Sequence, residues 1–484
     1  MTPKIHCPIT SPILRTMTPK LHPPTSALPA FSRREWLQRT SAGFGYLALS
    51  ALTTQRALAD NAAPLAPKQP HFPAKAKRVL FLCMDGGPSH VDSFDYKPEL
   101  AKYAGKAIGK GKVPTGKLLA PVWEFKQRGQ SGLWISELFP KIATHADKLC
   151  LIRSMKTDVP NHPPAFLQMH CGIPTAPRPS MGAWITYGLG SMNENLPGFV
   201  TLSPNPGNGG SANYGSSFLP AIYQGTRIGN GRQPIAQAKI SNLAHPQLAR
   251  PEQRAQLDFV QQLNRAAQQR QPENAAIEGL IESHELAFRM QDALPSVLDI
   301  ESESDTVKKL YGIGNTTTDD FGRQCLMARR MLEAGVRFVE VNHGGWDQHR
   351  NLTEDHGKHA AAVDGPIAGL LTDLESRGLL KDTLVIFAGE FGRTPYAQIA
   401  DGRDHNHTGY TTWFAGGGVK PGHSHGETDE FGYESVIDPV HIHDWHATIL
   451  HLLGLEHTKL TFRHAGRDMR LTEVKGNVVK GIFG

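Results

Sequence analysis

The chain has 484 residues, of which 39% are hydrophobic and 20% charged, with 48 Gly and 35 Pro. This loop-rich globular composition excludes a wholly disordered, fibrous or coiled-coil protein. The formal charge of +6 belongs to the leader: residues 1–59 carry seven Lys/Arg against Glu35 alone, while the rest balances at 44 basic and 44 acidic residues. Nothing in the charge marks a nucleic-acid partner, and none is expected.

In the leader, Ser32-Arg33-Arg34-Glu35-Trp36-Leu37-Gln38 precedes a weakly apolar stretch at 42–53 and then Ala57-Leu58-Ala59, a small-x-small cleavage pattern. Residues 1–59 thus resemble a twin-arginine signal peptide, with Trp and Gln where Phe and Lys are usual. The expectation is a periplasmic or extracellular protein whose export partner is the twin-arginine translocase. The apolar stretch is too short for a permanent membrane span. MTPKIH at 1–6 is echoed by MTPKLH at 17–22, so Met1 and Met17 both fit as the start. Cys7 lies in the leader, and Cys83, Cys150, Cys171 and Cys325 are scattered without a C-x-x-C pair. Buried thiols are expected, without a disulfide framework or zinc ribbon.

Residues 60–77 have the Pro/Ala composition of a linker. From there, apolar runs of strand length fall at 79–84, 149–154, 198–202, 337–341 and 383–388, several with amphipathic helical stretches between them. The pattern predicts an α/β domain over 78–484, built on a largely parallel central sheet flanked by helices, with its ligand site at the carboxyl ends of the strands. Residues 204–305 break the alternation. They open with a Gly/Asn/Ser/Pro segment and continue into a Gln- and Arg-rich helical stretch at 251–269, which predicts an excursion that caps the sheet with a solvated polar face.

Histidine carries the chemical signal. Of 23 histidines, 14 fall between His343 and His464, and acids accompany them at predicted strand ends: Asp347-Gln348-His349, Gly389-Glu390-Phe391-Gly392-Arg393 and Gly402-Arg403-Asp404-His405-Asn406-His407. Mixed carboxylate and imidazole donors suit zinc, manganese or iron. Asp85 at the first strand end, with Asp347, His349, Asp404 and His405, is expected to build a one- or two-metal site. Each group also has a structural reading. Asp85-Gly86-Gly87 fits a strand-to-turn exit, His90 and Asp92 fit turn caps, Arg393 fits an ion pair, and His441, His443 and His446 fit caps around Asp444 before a helix at 447–453.

The run Met84-Asp85-Gly86-Gly87-Pro88-Ser89-His90-Val91-Asp92-Ser93-Phe94-Asp95, with Asn161-His162-x-Pro-Ala165, Gly345-Trp346-Asp347-x-His349-x-Asn351, Glu390-Phe391-Gly392-Arg393-Thr394-Pro395, Gly402-Arg403-Asp404-His405 and Gly466-Arg467-Asp468-x-Arg470-Leu471, resembles the bacterial "domain of unknown function 1501" family of sulfatase-like exported proteins. That family is similar to the alkaline phosphatase superfamily. The resemblance implies an alkaline-phosphatase-like α/β core, a divalent metal (zinc, manganese or calcium) and hydrolysis or transfer of sulfate or phosphate esters, on a small molecule or a polysaccharide. It maps metal ligands onto Asp85, Asp347, His349 and Glu390, and a later histidine onto His405 or His407.

Two departures stand out. Phe391 follows Glu390 where the superfamily has an imidazole, so either Asp404 and His405 substitute or a single metal binds. No C-x-P-S-R motif or serine variant supplies a sulfatase nucleophile. The superfamily pattern places His162 near that position, so the attacking group is either water activated by the metal or the His162 imidazole, and Arg393 is read as a catalytic fork for the anionic ester. The alternative is a non-catalytic periplasmic binding or scaffold protein that retains the fold. Replacing Arg33 and Arg34 by Lys is expected to leave uncleaved precursor in the cytoplasm; fractionation showing undiminished export would overturn the leader reading.

Overall fold

Seven consecutive residues without an exposed side chain, Arg78–Met84, need cover on both faces and neighbours on both edges, which only the middle of a sheet provides. The computed structural model describes residues 64–107, 116–238, 247–271, 274–398 and 401–484, so the leader expected at 1–59 lies outside the described residues. Among the described residues the main sheet has nine strands: β1 (Arg78–Met84), β2 (Leu149–Lys156), β3 (Phe199–Leu202), β4 (Thr226–Ile228), β5 (Phe338–His343), β6 (Thr383–Ala388), β7 (Tyr410–Ala415), β8 (His423–His425) and β9 (Val440–His441). Their order is β8-β2-β7-β6-β1-β5-β3-β4, and β9 also pairs with β2.

Strand β1 pairs in parallel with β5 and β6, β3 in parallel with β5 and β4, and β2 in parallel with β8 and β9. Only β7 runs against its neighbours β6 and β2. All five apolar runs of the sequence are strands, and the α/β class with a largely parallel sheet is borne out. The reversed β7 was not anticipated. After β6 the chain forms an antiparallel pair, Gly392–Ala397 with Arg403–Asn406, and re-enters the sheet directly, with no crossover helix to restore the parallel direction.

Helices α1 (His162–Cys171), α2 (Met181–Leu189), α3 (Arg250–Arg270), α4 (Ala275–Leu298), α5 (Asp319–Glu333), α6 (Leu352–Ser376) and α7 (Ile442–Leu452) complete the elements used below. Helix α1 has Pro163 and Pro164 in its first turn, where the missing N–H groups cost nothing, and ends on Gly172 at φ 81°. The helix expected at 447–453 starts earlier, at Ile442. His441 takes the N-cap position, and the buried His443 and His446 sit inside the helix, with Nε2 atoms 2.6 Å from Gly172 O and 2.7 Å from Met169 O. They tie the last turn of α1 to α7.

Two expectations need correction. The described part of the 60–77 linker is packed: Leu65 and Ala76 are buried, Lys68 N donates to Leu189 O, and Lys75 N and Ala76 N donate to Leu452 O. Apolar residues spaced among the prolines anchor it to the domain. The 204–305 excursion does more than cap, because it supplies strand β4 to the sheet edge before the hairpin of α3 and α4, whose Arg254 is paired with Asp258 and Glu285.

A buried ion pair holds the Arg403–Asn406 strand against the exit of β1. Arg403 Nε lies 2.6 Å from Asp92 Oδ2 and Nη2 lies 3.1 Å from Oδ1, with both side chains wholly inaccessible. Burial alone would raise the Asp92 carboxyl, but the guanidinium reverses it and holds the group below its usual range. Asp92→Ala leaves a buried guanidinium unpaired and is expected to cost about 3–5 kcal/mol in urea unfolding; a loss under about 1 kcal/mol would show that the pair is dispensable.

Candidate metal-centred active site

The carboxyl ends of β1, β5 and β6 converge. Gly86 has φ +118°, and a Cβ there would lie 2.7 Å from Asp347 N and 2.8 Å from Trp346 C, so glycine lets the loop after β5 rest on the loop after β1. Trp346 N donates to Asp85 O at 3.1 Å. The buried Asp85 carboxylate accepts from Asn208 Nδ2 at 2.9 Å and from Asn205 Nδ2. Glu390, one residue beyond the end of β6 and its glycine, accepts from Gly86 N at 3.1 and 3.2 Å and pairs with His162 Nδ1 at 2.5 Å.

The fully buried Arg393 connects these loops. Its Nε donates to Gly87 O at 3.0 Å, Nη1 to Arg403 O at 3.2 Å, and Nη2 to Gly86 O and to Asp347 Oδ1, the latter at 2.5 Å. The sequence reading of Arg393 as a fork for an ester oxygen therefore needs correction. The guanidinium is turned inward, and it holds Asp347 in place.

Around Asp347 the imidazoles gather. Asp347 Oδ1 lies 2.9 Å from His349 Nε2 and 3.0 Å from His405 Nε2, and those two nitrogens are 3.0 Å apart. His405 Nδ1 lies 2.6 Å from Pro160 O, and His349 Nδ1 bonds Gln398 Oε1. Both acceptors are oxygens, so each ring donates from Nδ1 and turns its Nε2 lone pair inward. Two imidazole lone pairs and a carboxylate oxygen within about 3 Å of one another repel unless a proton or a cation lies among them, and this is a fitting donor set for zinc, manganese or iron. Asp404 stands behind, 3.9 Å from His349 Nδ1. Asp347 keeps 43% of its side chain exposed, which leaves the cluster open to a substrate.

On the other oxygen, Asp347 Oδ2 lies 3.1 Å from His162 Nε2. His162 thus sits between two carboxylates at the first turn of α1. Burial disfavours its imidazolium, yet Asp347 and Glu390 together outweigh burial and raise the group to about 9. Burial raises the Glu390 carboxyl, with Asp85 adding to it. Asp347 is held far below the usual carboxylate range: burial opposes ionisation, but His162, His405 and Arg393 overcome it. His405 is shifted down, first by burial and then by Arg393 and His162, which favours the neutral form a metal requires. Phe391 packs its ring 4.9 Å from that of His162 and 4.6 Å from that of His405.

Of the residues expected from the sequence, the structure brings together His162, Asp347, His349, Asp404 and His405. Asp85 and Glu390 belong to none of the potential cation-ligand groups among the described residues. Their oxygens are taken by the amides of Asn205 and Asn208, by Gly86 N and by His162. His407, the alternative to His405, is likewise outside these groups. Asn205, Asn208 and Gln398 were missed by the sequence reading; an Asn-rich turn directly after β3 was the only signal for the first two.

The family model described as "Protein of unknown function (DUF1501)" matches residues 76–483. No curated protein matches the chain. Among solved structures, the chain is similar to the lipoteichoic acid synthase LtaP from Listeria monocytogenes at 8% identity, covering 84% of this chain and 78% of that one with a TM-score of 0.36. It is also similar to the PsFucS1 sulfatase from Pseudoalteromonas sp. (13%, 85% and 71%, 0.35) and to alkaline phosphatase from the Antarctic bacterium TAB5 (13%, 78% and 98%, 0.30).

Because the folded-state value of His162 lies above the ordinary 6.5, its contribution to stability is full below about pH 6.5 and is lost as pH rises through about 9. In chelator-treated protein, an NMR titration of His162 is expected to centre near pH 9, and Asp347→Asn should return it toward 6.5. A wild-type midpoint at or below 6.5 would contradict the two-carboxylate setting.

Proposed function

This chain belongs to the DUF1501 family, and we propose that it is an exported, metal-dependent hydrolase of sulfate or phosphate esters, with a small molecule or a polysaccharide as substrate. The observation that carries the reading is the meeting of His349 Nε2, His405 Nε2 and Asp347 Oδ1 within about 3 Å, on an open rim and with both rings oriented from behind. A divalent cation held by these three residues would supply positive charge to the anionic ester and acidify water. Asp404 and Gln398 hold the His349 side, Pro160 O orients His405, and Arg393 fixes Asp347.

His162 takes the role of proton donor to the leaving oxygen. Its Nδ1 is anchored on Glu390, its Nε2 faces the cluster, and a protonated ring cannot attack as a nucleophile. Water is then the attacking group, consistent with a chain that has no C-x-P-S-R motif. A non-catalytic binding protein is the second reading, favoured by Asp85, whose carboxylate is occupied by two asparagine amides. The export leader and a periplasmic or extracellular site of action belong to either reading.

Purified protein is expected to turn over members of an aryl sulfate or aryl phosphate panel when supplied with Mn2+, Zn2+ or Ca2+. Asp347→Ala should abolish turnover. His162→Ala should lower kcat by about 100-fold on an ester with a poor leaving group and much less on a nitrophenyl ester, whose leaving group needs no proton. No turnover by folded, metal-loaded protein would favour the binding reading, and a phosphoenzyme trapped at His162 would decide against water.

A further inference from the structure

Below the site, within the sheet itself, lies a second cluster that the proposed chemistry does not use. Cys83 is next to last in β1, Glu340 is the third residue of β5, and His170 stands in the last turn of α1. Their exposures are 0%, 2% and 2%. One donor atom from each, a sulfur, a nitrogen and an oxygen, lies within 4.8 Å of both others. His170 Nδ1 is 3.0 Å from Phe166 O, so that nitrogen carries a proton and Nε2 is the ring atom left to face the cluster. Glu340 Oε1 is 3.4 Å from the Thr201 hydroxyl, while Glu340 Oε2 and His170 Nε2 are buried without a hydrogen-bond partner.

A carboxylate in the middle of a parallel strand requires compensation. The separation of Glu340 Oε2 from His170 Nε2, 3.5 Å, exceeds a charge-assisted hydrogen bond of about 2.7–2.9 Å. It matches the edge between two ligands of one tetrahedral ion, since bonds of about 2.0–2.2 Å place ligands about 3.3–3.6 Å apart. We propose that Cys83, His170 and Glu340 hold a buried divalent cation of the zinc class, separate from the open cluster at Asp347. One thiolate and one carboxylate neutralise its two charges, so the core keeps no net charge; the thiol proton is released to solvent on binding. A thiolate with an imidazole selects zinc over magnesium or calcium.

The ion would join three elements that determine the site above. Helix α1 carries His162 in its first turn and His170 in its last, β1 leads to Asp85, and β5 leads to Asp347. Cross-linking them through one ion fixes the distance from His162 to Asp347, a positioning role independent of whether the open site is catalytic.

The test uses the full chain, expressed in zinc-depleted, cobalt-supplemented medium so that metal enters during folding. A thiolate-to-cobalt charge-transfer band in the near ultraviolet is expected in the wild type and in the His349→Ala/His405→Ala double variant, with one cobalt per chain retained in the latter. The open cluster has no sulfur ligand, and among the described residues Cys150, Cys171 and Cys325 belong to no potential cation-ligand group. Cys83→Ser should remove the band, and Glu340→Gln should lower the retained cobalt in the double-variant background from one per chain toward none. If Cys83→Ser does not fold, the wild-type and double-variant spectra decide alone. Folded protein that lacks the band in both overturns the proposal and leaves a metal-free imidazolium–carboxylate pair.

Discussion

One buried guanidinium orders the upper rim of this sheet. Arg393 cannot be deprotonated, so its donors must be satisfied away from water, and the structure satisfies them with backbone carbonyls from the exit of β1 and from the strand that carries His405, plus the Asp347 carboxylate. Removing any of these loops from its place would leave a buried charge without its partner. The loops that carry the candidate chemistry are therefore placed by the requirement to neutralise one cation. The wholly buried Arg403–Asp92 pair repeats the device.

The charges of the site form a chain of alternating sign. Arg393 contacts Asp347, Asp347 contacts His162, His162 contacts Glu390, and Glu390 rests on the Gly86 amide. Each carboxylate lies next to a cationic or N–H partner, which is how several ionisable groups share a half-buried rim without mutual repulsion. Phe391 packs its ring against those of His162 and His405 and limits water around both. The open side of this arrangement is at Asp347, where its remaining exposure and the inward Nε2 atoms of His349 and His405 coincide.

Helix α1 links this rim to the core. Two prolines start it beside the rim, His443 and His446 hold its last carbonyls, and His170 reaches the strands from its inner face. A short helix held at several points suits the proton-donor role proposed for His162, whose position relative to Asp347 must then not drift.

Much of the fold was legible in the sequence because buried parallel strands leave unbroken apolar runs, and all five such runs became strands. Asp85, Asp347 and Glu390 could be placed on one rim from sequence, since each follows such a run, whereas Asp404 and His405 lie within the Arg403–Asn406 strand and reach the rim only through its pairing with Gly392–Ala397. Sequence by itself also determined the family and which candidate donor types are available. Only the tertiary structure decided which donors meet. It drew His162 to Asp347 across 185 positions of chain, closed Asp85 with Asn205 and Asn208 from a segment read as a cap, and turned Arg393 inward. It also set Cys83 beside Glu340 and His170, three residues with no common motif. The reason is physical: periodicity encodes which face a residue takes within its own element, whereas the pairing of charges between elements depends on strand order and on the direction in which each buried side chain can find compensation.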